Sequence, residues 1–112
     1  MITLNNIRLN VGEDKSSLLK KCCKKANVSV EKIKYFISEG GYFTVCTGRI
    51  HQGFHLYDPE YINAPVLLGN GAMSYDYEKN KIIFNEAIGD EGIKAFEAVL
   101  TKYPTVAFEL YN

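Results

Sequence analysis

The chain has 112 residues and a mass of 12.6 kDa, one domain's worth of polypeptide (1–112) with no room for a second. Its 46% apolar and 23% charged residues exclude a disordered or low-complexity chain. Thirteen basic and thirteen acidic side chains balance to zero, which argues against both a general nucleic-acid binder and a highly acidic nucleic-acid mimic.

Apolar runs such as residues 64–68 fall far short of the ~20 residues that span a bilayer, and the start carries no signal-peptide pattern. A soluble, cytoplasmic protein without a membrane partner is expected. Three cysteines, with Cys22 and Cys23 adjacent and Cys46 distant, exclude a complete disulfide framework within one chain and fit reduced thiols.

In chain order, Ile2/Leu4 and Ile7/Leu9/Val11 alternate around a phase slip at Asn5-Asn6, which predicts a bulged first strand. From Ser16 or Ser17 a helix is predicted: Leu18, Leu19, Cys22, Cys23 and Ala26 share one arc, and Lys20, Lys21, Lys24 and Lys25 the other. Ser29 offers a cap for a short turn, and Tyr35-Phe36-Ile37 reads as a second strand turned back by Gly40-Gly41 into a strand over 42–51. Asp58-Pro59 to Pro65 reads as a loop. Val66–Leu68, Ala72–Tyr77 and Ile82–Phe84 form a meander of three strands with turns at Gly69-Asn70-Gly71 and at 78–81. After Gly89-Asp90 a helix runs to about Tyr103 with one apolar face expected to be buried, and Thr105–Tyr111 alternates as a closing strand. The expected fold class is α+β: a mostly antiparallel sheet of about five to six strands, in the order β-α-β-β-β-β-β-α-β, with two amphipathic helices on one face.

No catalytic signature stands above background. His51 and His55, four apart on an extended strand, would sit ~13 Å from each other, too far for one zinc ion, so no metal site is expected. Cys46 and His51 have opposite strand parity, which disfavours a thiol nucleophile, and Cys22 and Cys23 lie on the apolar arc where thiols are inert. Gly69-Asn70-Gly71 lacks the spacing of a phosphate-cradling loop and reads as a hairpin turn. No cofactor is called for.

Two features invite binding. The lysine arc Lys20, Lys21, Lys24 and Lys25 has no acid interleaved; residues 1–34 carry a balance of +5 and the remainder −5. The strand face carrying Tyr75 and Tyr77 could present an interface. The leading expectation is a non-catalytic interaction module of inhibitor or adaptor type with a protein partner, with homo-oligomerisation and an anionic ligand as open alternatives and nucleic acid not expected. The runner-up is a ligand-binding or enzymatic domain with a cleft around Arg49, His51, His55, Tyr57 and Asp58, in which Arg49 binds an anion and a histidine moves protons.

Overall fold

The computed structural model describes residues 1–10 and 12–107. Helix α1 spans Lys15–Ala26, one or two residues ahead of the expected start, because Asp14 is the cap: its Oδ1 accepts from the Ser17 amide at 3.0 Å and from the Ser16 and Ser17 hydroxyls at 2.8 and 2.9 Å. Asn27 ends it in the left-handed region (φ 54°). Leu18, Leu19, Cys22 and Cys23 are buried, as the arc predicts, and burial raises both thiol pKa values.

The expected first strand does not form. Asn6 takes φ 57°, which breaks the extension, and residues 1–10 lie against α1, where Lys21 donates to the Arg8 carbonyl at 2.7 Å and Lys25 to the Asn5 carbonyl. Tyr35-Phe36-Ile37 is not a strand either. It belongs to helix α2, Val30–Ser38, whose Ser29 hydroxyl accepts from the Lys32 amide and whose partly buried Val30, Ile33 and Ile37 recur at helical spacing beside α1. A capped start and a 3–4 period outweigh the β-preference of two aromatics that stay exposed. Gly40-Gly41 is consequently a helix stop, not a hairpin. Gly40 has φ 86°, and the two amides return to the carbonyls of Ile37 and Phe36.

Residues 41–47 then run extended, but parallel to residues 63–68, where the expected strand over 42–51 was to fold back as a hairpin. The Leu67 amide donates to Val45 O and the Thr47 amide to Leu67 O, both at 2.9 Å, with a parallel bridge between Cys46 and Leu67. Asn63 closes the lower end: its Oδ1 accepts from the Phe43 amide at 2.7 Å and its Nδ2 donates to Gly41 O at 2.8 Å. The connection includes a 3-10 turn at His51–Gly53 and the expected irregular stretch around Asp58-Pro59.

The meander is present as β1 (Val66–Leu68), β2 (Met73–Asp76) and β3 (Lys81–Asn85), antiparallel in the order β1-β2-β3, with Val66 opposite Tyr75 and a bulge between Ser74 and Tyr75. Val66 and Leu68 are 0% exposed and form the core with Phe54, Ile62 and Tyr75, flanked by Phe43, Val45, Leu56, Tyr57, Met73 and Tyr77. Helix α3, Asp90–Lys102, begins with the acidic pair Asp90 and Glu91, which suits the positive end of the helix dipole. None of its residues is buried, contrary to expectation, and Ile93, Val99 and Leu100 are exposed. Residues 105–107 are not in a strand, and the rest of the expected closing strand lies outside the described residues. The molecule is thus mixed α+β, with three helices and a three-stranded sheet among the described residues in place of two helices and five to six strands.

Asp76, 7% exposed, fastens the turn between β2 and β3. Its carboxylate accepts from the Lys79 amide and from Lys79 Nζ, each at 3.0 Å, and the backbone bond foremost, then the ammonium, holds its pKa below the usual value. A carboxylate depressed in the folded state contributes stability that is complete above the unfolded value, ~3.9, and is lost as pH falls through the folded value. The urea midpoint is therefore expected to drop between pH 5 and pH 3, and Asp76→Asn to flatten that drop. An acid response identical in the two proteins would refute the role of Asp76.

Candidate functional site

The parallel pair of segments ends on one side in two turns that touch. Beyond Thr47 the chain turns through Gly48 and Arg49; beyond Leu68 it turns through Gly69–Gly71 with Asn70 left-handed at φ 58°. Backbone bonds tie the turns together, Gly69 N to Arg49 O at 2.9 Å and Asn70 N to Thr47 O at 3.0 Å, while Thr47 Oγ1 accepts from the Arg49 amide at 3.3 Å. A Cβ on Gly48 would stand 2.9 Å from Asn70 Oδ1, so the absence of a side chain at 48 is what lets the Asn70 amide lie against this turn. The exposed Arg49 forms no salt bridge among the described residues.

The backbone thus brings the threonine, arginine and asparagine residues Thr47, Arg49 and Asn70 together where two parallel segments end, with their hydroxyl, guanidinium and carboxamide groups on adjoining turns. All three groups can donate hydrogen bonds, which suits a small anionic group. Among the described residues no imidazole or carboxylate is hydrogen-bonded to Thr47 to activate it, so the corner's own chemistry is binding and orientation.

Behind the corner stands an aromatic wall. The His51 ring lies 4.1 Å from Tyr75 and 5.5 Å from Tyr77, and Tyr57 stacks on Tyr77 at 4.7 Å, so His51, Tyr77 and Tyr57 form a column of near-parallel rings. Tyr75 is buried in the core and Tyr77 partly buried, so the pair is not the open face that the alternation allowed. Of the other residues of the expected cleft, His55 is exposed, and Asp58 is engaged in its own turn, its Oδ1 accepting from the Glu60 amide at 3.0 Å. Among the described residues no group of three or more His, Cys, Asp or Glu side chains could hold a metal ion.

The lysine arc is divided. Lys20 and Lys24 are exposed, whereas Lys21 pairs with Glu13 at 2.6 Å and, with Lys25, binds the N-terminal segment. The sequence reading of four unpaired cations overlooked Glu13, which lies eight residues upstream and reaches Lys21 only because the chain folds back at the Asp14 cap.

The sequence model of the haloacid dehalogenase-like hydrolases matches residues 16–112, most of the chain. The chain belongs to the haloacid dehalogenase-like hydrolase family. No curated protein and no solved structure matches it. Membership in this hydrolase family overturns the expectation of a non-catalytic inhibitor or adaptor and favours the enzymatic alternative. That expectation rested on the scarcity of histidines, reactive thiols and phosphate loops. In this haloacid dehalogenase-like chain the paired turns bring together Thr47, Arg49 and Asn70 instead, of which Thr47 reads in the sequence only as a strand residue and Asn70 only as part of a hairpin turn. The readable signal was Gly48 and the Gly69-Asn70-Gly71 turn, each just past a β-rich run. Among the described residues no helix is long and apolar enough to cross a membrane.

Proposed function

We propose that the chain serves as a hydrolase domain whose corner at Thr47, Arg49 and Asn70 holds the anionic group of the substrate. The observation that carries this reading is the backbone pairing that joins the Thr47–Arg49 turn to the Gly69–Gly71 turn where the parallel pair of segments ends, with the exposed Arg49 in no salt bridge among the described residues. The hydrolase family match supports the reaction class. A 2-haloacid carboxylate and a phosphate monoester share the required chemistry, a small anion next to a cleavable bond.

Both sources can be tested on the full chain, with 2-chloropropionate followed by chloride release and p-nitrophenyl phosphate followed by nitrophenolate. Turnover of one of them is expected to fall about tenfold or more in Arg49→Met and about three- to tenfold in Thr47→Val, the ranges for losing a charged and a neutral hydrogen bond. Turnover of neither probe, or turnover indifferent to both substitutions, would overturn the reading.

A further inference from the structure

A second concavity lies on the far side of the aromatic wall. It is a cleft of about 500 Å³, with Tyr57, Ile62, Ala64, Pro65 and Ile83 in its apolar lining and Asp76, Glu78 and Lys79 as its charged groups. This volume falls within the ~300–1,000 Å³ of small-molecule sites, and an apolar lining with a few polar groups is their usual composition. None of these residues but Tyr57 figured in the sequence-based candidates.

Three observations define what would fit. Lys79 is already engaged by Asp76 at 3.0 Å, whereas Glu78 forms no salt bridge among the described residues, leaving the cleft with an uncompensated negative charge. The Tyr57 phenol is held above its ordinary pKa, by burial first and then by the carboxylates Glu78, Asp76 and Asp58, so the Tyr57 ring lies in a negative field. The Tyr77 hydroxyl is buried without accessible surface, so a ligand in the cleft does not reach it and Glu78 is the charged group left to meet a head group.

We propose that this cleft binds an amphipathic organic cation, its flat apolar or aromatic body against Tyr57 and Ile62 and its amidinium or ammonium head beside Glu78. The Tyr57 ring attracts a cation through its quadrupole and Glu78 supplies the counter-charge. The site is separate from the corner at Thr47 and does not depend on the hydrolase reading.

Benzamidine is the probe, with benzoate as its anionic counterpart of the same shape, titrated into the full chain while the tyrosine ring resonances are followed by NMR. Saturable shifts of Tyr42, Tyr57 and Tyr77 are expected with benzamidine, and binding of benzoate at least tenfold weaker. Glu78→Gln, at an exposed position that leaves folding intact, should weaken benzamidine about five- to tenfold, the range for a charge-assisted hydrogen bond. Equal affinity for benzoate or an unchanged affinity in Glu78→Gln would each overturn the assignment.

Discussion

Replacing Leu68 with alanine is expected to destabilise the fold by about 2–5 kcal/mol, the range for truncating a fully buried leucine that leaves a cavity. Leu68 is 0% exposed and sits opposite Met73 in β1, in one cluster with Val66, Phe54, Ile62 and Tyr75. Those partners come from the 3-10 turn region, the loop before β1, and β2, so no single element can move in to fill the space. Against a total stability of about 5–15 kcal/mol for a domain, this loss is a large fraction, and the melting temperature should fall by about 10–20 °C. Leu100→Ala is the matched control. It removes the same atoms from the exposed face of α3 and should change stability by no more than about 1 kcal/mol. Urea midpoints of the two variants side by side decide the matter: equal losses would mean that the core has been placed around the wrong leucine.

The contrast between these two leucines marks where the sequence is readable. The 3.6-residue spacing identifies both α1 and α3, yet periodicity records only which residues share a face. In α1 the face is covered, with Leu18, Leu19, Cys22 and Cys23 buried; in α3 the equally regular face of Ile93, Val99 and Leu100 stays exposed. Covering a face requires a partner element, and that information is non-local. The meander was legible because each of its strands is bounded by turn residues a few positions away. Residues 41–47 were not, since their partners lie about twenty positions downstream in parallel orientation, and nothing local distinguishes that from a hairpin strand. The same blindness hid the candidate site. Thr47 and Asn70 are ordinary loop residues until the parallel pairing carries both turns to one end of the molecule, whereas Arg49, already suspected of binding an anion, stands out by its charge alone.

Gly48→Ala should displace the Asn70 amide from the corner, although it adds only one methyl group. The new Cβ would lie 2.9 Å from Asn70 Oδ1, closer than carbon and oxygen tolerate, so either the Asn70 amide or the Thr47–Arg49 turn must shift. Since Gly69 N and Asn70 N are bonded to the carbonyls of Arg49 and Thr47, a shift of one turn drags on the other. Asn70 Oδ1 is the end of an exposed side chain that can rotate away, so a loss of no more than about 1 kcal/mol in stability is expected, with hydrolysis falling about as far as in Asn70→Gly because the amide has left its place. Asn70→Gly separates the two effects, because glycine accepts the φ of 58° at that position and removes the obstructing amide. In the double variant Gly48→Ala/Asn70→Gly the clash is gone, so its stability should exceed that of Gly48→Ala, while its turnover should remain at the reduced level of Asn70→Gly alone. Such non-additivity is the signature of two residues in direct contact. If the double variant also regains wild-type turnover, the Asn70 amide takes no part in holding the substrate, and Thr47 and Arg49 are left to bind its anionic group without it.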